Sequence, residues 1–178
     1  MSSGVKTLRG NITIWAVRPE AFTPDEWMQP LSAAKWATAK TAGLITHISK
    51  AVEDGHSINL TGSATDSSMS AWDIAEVESP LDFEYEVSFD IFRNKPGTID
   101  SPDYDKALAL FDGLDIEYFI VKRVDSEQGL DVVAGNILSA FGAKTDYGQD
   151  LGDDGSMQMY GCRFKPTGRL NTNFTVAA

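Results

Sequence analysis

Residues 81–91 alternate almost without error. Leu81, Phe83, Tyr85, Val87, Phe89 and Ile91 occupy the odd positions, and Asp82, Glu84, Glu86, Ser88 and Asp90 the even ones. A period of two is the signature of a strand with one apolar and one polar face. No helix can accommodate the pattern, because a 3.6-residue turn would spread the six apolar groups around the whole circumference. Fully burying those six side chains contributes roughly 9–18 kcal/mol as an upper bound. The strand is therefore expected to anchor a β core while its acidic face stays wet.

The charge pattern sharpens the question of what that face looks at. The formal net charge is −11 over 178 residues, and no Lys or Arg occurs between Lys50 and Arg93. The same interval holds ten acids: Glu53, Asp54, Asp66, Asp73, Glu76, Glu78, Asp82, Glu84, Glu86 and Asp90. Such a density cannot be buried without partners, so these groups face water, cations or a basic surface. A protein that grips nucleic acid needs the opposite, clustered cations that displace counterions.

The rest of the chain reads mainly as strand. LRGNITIWAV at 8–17 alternates, and LITHISKAVE at 44–53 and HSINLTG at 56–62 flank an EDG turn suited to a hairpin. GSATDSSMS at 62–70 reads as a polar loop, and WDIAEVE at 72–78 slips phase after Ile74, which suggests a bulge. Further strands are expected at 115–124, 130–143 and 156–166, with a Pro-Thr-Gly turn before a last one. The clearest helix follows Ser101 as N-cap and Pro102 at the first helical position, with Tyr104, Ala107, Leu108 and Phe111 on one face and Gly113 at its end. LSAAKWATAKTAG at 31–43 is a second, short helical candidate. About eight strands with one or two short helices predict a mainly β fold: an antiparallel sandwich or partly closed barrel with a short helix packed on the sheet, forming a single domain over 1–178.

Segment 18–43 is the exception. Pro19, Pro24 and Pro30 predict an extended arm or loop. It carries Phe22, Trp27 and Met28, which need a surface to dock on: the chain's own core or a neighbouring subunit.

No catalytic constellation stands out. The motifs GxSxG, HExxH and GxxxxGK(S/T) are absent, as is a strand–GxGxxG–helix unit. His47 and His56 could face each other across the expected hairpin but have no third ligand at metal-site spacing, and Cys162 has no second cysteine to pair with. DLGDDG at 150–155 lacks the spacing and terminal Glu of a calcium loop. Glu84 and Glu86 are about 7 Å apart by strand rise, within range for a glycosidase pair, but the aromatic residues that would hold a sugar lie on the other face. There is no run of about eighteen apolar residues for a membrane span, and MSSGVKTLRG has no secretion-signal character, so use without export and without cofactor is expected.

The order FEYEVSFDIFRNK, DYDKALALFDG, YFIVKR, DVVAGNILSAFGA, MQMYGCRFKPTGRL resembles the major tail (tail tube) proteins of long-tailed, non-contractile bacteriophages, particularly those infecting actinobacteria. The elements that carry the resemblance are Phe92-Arg93, the helix from Pro102, Tyr118 with Val121 and Arg123, Ala134-Gly135-Asn136, and Phe164 with Pro166 and Gly168, spread over about residues 44–176. The resemblance implies a structural virion protein made in the host cytoplasm. It implies homohexameric rings stacked into a hollow tube, each subunit lending strands to a continuous inner β-barrel. It further implies a tape-measure protein in the bore, terminator and distal tail or baseplate proteins at the ends, and DNA passing without specific binding. On that footing Asp82, Glu84, Glu86 and Asp90 are candidates for the bore lining, though the same strand could turn them outward. Phe22, Trp27 and Met28 are candidates for contacts between subunits. A related ring-former, such as a type VI secretion tube or head–tail connector, and a β-sandwich carbohydrate-binding module or hydrolase are the alternatives.

Overall fold

A computed structural model describes residues 12–28, 31–68, 77–94, 101–124, 131–151 and 158–178. Eight strands appear among them: β1 (Ile12–Val17), β2 (Ile45–His47), β3 (Ser57–Ser68), β4 (Val77–Arg93), β5 (Glu117–Val124), β6 (Ile137–Thr145), β7 (Gln149–Leu151) and β8 (Gln158–Thr175). All pairings are antiparallel, in the order β2-β1-β5-β6-β8-β4-β3, with β7 on the other edge of β8. The long strand β8 joins the two halves. Its first part pairs with β4 and β7, and its second part with β6. The path folds into two sheets, one of β2-β1-β5-β6-β8 and one of β3-β4-β8-β7, so the result is an antiparallel sandwich and not a closed barrel.

The layer between the sheets is apolar. It takes Tyr85, Val87, Phe89 and Ile91 from β4, Ile58 from β3, Tyr118 and Ile120 from β5, Phe141 from β6 and Cys162 from β8. Helix α3 (Pro102–Phe111) plugs one side of it with Ala107 and Phe111. Burial pushes the Cys162 thiol up to about 12, so it behaves as a small apolar group. The Tyr85 hydroxyl donates to the Gly142 carbonyl and accepts from the Thr167 amide at 3.1 Å, which fixes β4 to the β6–β8 side.

A second apolar layer covers the far face of the β1-β5-β6 sheet. There Trp15, Val17, Phe119, Val121 and Leu138 meet α1 (Pro24–Met28) and α2 (Ala33–Thr41) through Phe22, Trp27, Leu31 and Trp36. In segment 18–43, expected as an extended arm or loop with a possible short helix at 31–43, that helix is α2, and the proline-bearing part before it holds a 3-10 turn at Pro19–Ala21 and α1. The prolines start the first two elements, where no backbone donor is needed. Thr23 and Glu26 close a capping box: the Thr23 amide donates to Glu26 Oε2 at 2.7 Å and the Glu26 amide to Thr23 Oγ1 at 3.4 Å.

Other departures from expectation have local causes. The 44–53 strand shortens to Ile45–His47, because Ile48 starts a turn that accepts from the Ala51 and Val52 amides. No β2–β3 hairpin forms, and the two strands belong to different sheets. Strand β3 runs on through the expected polar loop to Ser68, with register shifts at Leu60/Gly62 and Ala64/Thr65. The bulge expected within 72–78 falls largely on 69–76, outside the described residues. The Pro-Thr-Gly turn does not break the chain: β8 continues through it, with Gly168 at φ 76° and a register shift against β6 between Phe141 and Ala143. A proline is tolerated at such an irregular position.

Arg123 is the one buried arginine among the described residues. From β5 its Nη1 donates to the Asp131 carbonyl and to Asn136 Oδ1, both at 3.2 Å, and its Nη2 donates to Thr13 Oγ1 at 3.3 Å. The guanidinium lies 5.1 Å from the centroid of the Trp15 ring. Asn136 Oδ1 also accepts from the Val133 amide at 3.0 Å. The arginine thus clamps the 131–136 turn to β1, which gives the Arg123 and Ala134-Gly135-Asn136 motifs one shared physical role.

Candidate functional site

The outer face of the β3-β4-β8 sheet is where the opening alternation resolves. Tyr85, Val87, Phe89 and Ile91 are buried, while Glu84 and Glu86 are exposed and Ser88 and Asp90 half-buried. Parity along one strand separates the apolar layer from solvent. Asp82 lies in β4 with its backbone opposite Ala64; its side chain is outside the described residues.

Glu84, Glu86 and Asp90 share the face but differ in company. Glu86 accepts from the Ser57 hydroxyl at 3.2 Å and the Ser88 hydroxyl at 3.0 Å. Glu84 stands opposite Gly62. Among the described residues no lysine or arginine pairs with either glutamate. Asp90 does have a cation: Arg163, brought in by β8, pairs with it at 3.0 Å. A Cβ on Gly161 would sit 3.2 Å from Asp90 Oδ1 and 3.4 Å from Arg163 Nη2, so glycine there keeps room for the pair. Farther along β8, Lys165 pairs with Asp146 at 3.0 Å, and Arg93 at the end of β4 pairs with Asp150. Within the cation-free interval of the sequence Asp90 is thus answered by β8, whereas on this face Glu84 and Glu86 have no ion pair among the described residues.

Glu84 and Glu86 are two exposed carboxylates, and Glu86 has hydroxyl neighbours. They repel anions within roughly a Debye length of about 8 Å at physiological salt. Among the described residues no group of three His, Cys, Asp or Glu side chains could hold a metal ion. His47 packs against Trp15 on the helix-covered sheet, and His56 precedes β3 on the other one, so they do not face each other. Burial pushes both imidazoles below their ordinary value.

The docking candidates divide. Phe22 and Trp27 are 4% and 5% exposed. Trp27 stacks on Phe119 at 4.0 Å and meets Phe22 edge-on at 5.1 Å. Of the two surfaces open to them, the structure gives them their own core. The Met28 side chain is outside the described residues. Sequence reading missed Arg163 as the partner of Asp90, because the pair is 73 residues apart and only the β4–β8 register, Ser88 opposite Arg163, brings it together.

No helix among the described residues is long and apolar enough to cross a membrane. A search of curated proteins gives no match. The family model for phage tail tube proteins matches residues 7–178. With nearly the whole chain covered, and with the sandwich, the short helices and the order of motifs in agreement, the protein belongs to the phage tail tube protein family.

Proposed function

We propose that six copies of this chain close into a ring, that rings stack into the tail tube, and that the β3-β4-β8 face lines the bore with Glu84 and Glu86. The chain is a structural subunit of the phage tail tube, and its place is the tail of the virion. The observation that carries the finer reading is the asymmetry of the sandwich. One outer face is covered by α1 and α2, whereas the other exposes Glu84 and Glu86 with no cation on them. A wall element with one dressed and one bare side turns the bare side to the cavity when the bare side is the one the cargo must slide along. DNA presents a dense row of phosphates, and a lining that attracted them would hold the cargo at every ring.

The sheet edges support closure. Among the described residues of the bore-side sheet β3 pairs only with β4 and β7 only with β8, so each has one edge without a described strand partner. Exposed edges associate unless covered, and β7 of one copy could pair with part of β3 of the next. The tape-measure protein would occupy the bore before ejection, with terminator and distal tail or baseplate proteins at the two ends. Nothing in this role calls for catalysis or a cofactor.

Glu84→Lys combined with Glu86→Lys tests the lining. Both side chains are exposed, so folding and tube length are expected to hold. Infectious titre per particle is expected to fall roughly tenfold or more, because the bore now binds phosphate. Unchanged titre in particles with normal tails would overturn the assignment of this face.

A further inference from the structure

The two ends of the helix-covered sheet carry apolar groups in different forms. Strands β5 and β6 run antiparallel, with Glu117 opposite Lys144 at one end and Arg123 opposite Leu138 at the other. Beyond the first end project Leu114, Ile116 and Tyr147, exposed by 58%, 39% and 74%. At the second end lies a cleft of about 670 Å³ whose walls include Leu60, Lys122, Val124, Ile137, Phe141 and Asn173. Leu60, Val124 and Ile137 on its walls are themselves 46%, 45% and 56% exposed. Clustered apolar exposure at two places on one small chain is more than scattered surface residues require.

The projecting end is built as a rigid knob. Asp115 holds φ 58°, and its amide donates to the Thr145 carbonyl at 2.9 Å. The Ile116 amide donates to Thr145 Oγ1 at 3.0 Å, and the Thr145 amide returns a bond to the Ile116 carbonyl at 2.9 Å. The Ile116 side chain folds over Gly113, where a Cβ would come within 2.3 Å of its Cδ1. A turn fixed in this way loses little freedom on docking.

Charge selects the partner. The knob carries the exposed Asp115, which makes no direct ion pair among the described residues and feels Lys165 only at longer range. The cleft carries Lys122, half-buried, whose Nζ donates to Asn59 Oδ1 at 3.2 Å and the Ile58 carbonyl at 3.4 Å and meets no described carboxylate. Knob against knob would set carboxylates against each other; knob into cleft sets Asp115 against Lys122.

We propose that the 112–116 knob of one copy seats in the cleft between β3, β5 and β6 of a second copy, with Asp115 paired to Lys122, and that this is the contact between successive rings. The inference rests on the tube reading. Edge pairing of β3 with β7 would use strand edges of one sheet, whereas the knob and the cleft lie at opposite ends of β5 and β6 in the other. Because the two surfaces differ, the contact is heterologous and can repeat from one ring to the next.

The test uses Asp115→Lys, Lys122→Glu and both together in the full chain, read by electron microscopy. Each single change is expected to raise the concentration needed for tubes roughly tenfold or more, since like charges now meet, and the double swap to restore assembly. Singles that assemble like the parent, or a swap that rescues nothing while its subunit melts like the parent, would overturn the contact. The second readout is Leu114→Cys with Ile137→Cys. Oxidised tubes of the double variant are expected to give a ladder of covalent multimers, and either cysteine alone none; buried Cys162 supplies no competing thiolate. Intact tubes without a ladder, or single cysteines that cross-link as readily, would also overturn it. A parent chain that forms no tubes at all would instead remove the tube reading, and this contact with it.

Discussion

Replacing Arg123 with alanine is expected to destabilise the isolated subunit by about 3–5 kcal/mol, because it removes a packed buried side chain and leaves the buried Thr13 hydroxyl and the part-buried Asp131 carbonyl and Asn136 Oδ1 without that donor. The guanidinium is 2% exposed and serves the Asp131 carbonyl, Asn136 Oδ1 and Thr13 Oγ1 at once, while lying against Trp15. Thr13 is fully buried, so water cannot take over from the arginine there. In a domain of this size the loss corresponds to a fall in Tm of about 6–20 °C. Arg123→Lys is expected to recover only part of it, since an ammonium cannot fork across three acceptors and gives up the planar contact with the indole. Urea titration of the monomer measures both. A midpoint for the alanine variant that matches the parent at unchanged slope would contradict the clamp.

Phe89→Ala is expected to cost a similar amount, about 3–5 kcal/mol, by a different route. Phe89 is 2% exposed, in the C-terminal half of β4. Its ring lies 5.4 Å from Phe111 of α3 and 5.0 Å from Phe164 of β8. Truncation opens a cavity where strand, helix and second strand meet, and the two aromatic neighbours relax poorly into it. Phe89→Leu keeps most of the volume and is expected to cost less than about 1.5 kcal/mol. The two alanine variants separate by hydrogen exchange. Loss of Phe89 frees amides in α3 and the first part of β8, whereas loss of Arg123 frees those of 131–136. Alanine and leucine variants of equal stability at position 89 would contradict the packing argument.

Residues 84–91 were legible in advance because a half-buried strand leaves a period of two that nothing else produces. Tyr85, Val87, Phe89 and Ile91 went inward, and Glu84 and Glu86 stayed outside. Helix α3 was legible for the same kind of reason, since Ser101, Pro102 and the Tyr104–Phe111 face are all local signals. What escaped was non-local or compound. Three prolines argue for an extended arm or loop over 18–30, yet Thr23-Pro24-Asp25-Glu26 spells a capping box that starts α1, and Phe22 and Trp27 pack on the chain's own sheet. Strand β8 reads as two strands because Pro-Thr-Gly is turn chemistry; tertiary pairing with β6 carries it through. The burial of Arg123 leaves no local trace, since an arginine in a strand reads as solvent-facing until Thr13, Asp131 and Asn136 are brought around it. The acidic face was visible in the sequence, but the cation that answers Asp90 was not.

The central claim concerns which surface of this sandwich faces the passage. A cryo-electron microscopy map of the assembled tail tube decides it. The account predicts β3, β4 and the first part of β8 on the inner wall, Glu84 and Glu86 projecting into the bore, and α1 and α2 on the outside. A bore lined by those helices, or a positively charged inner surface with Glu84 and Glu86 turned outward, would contradict it.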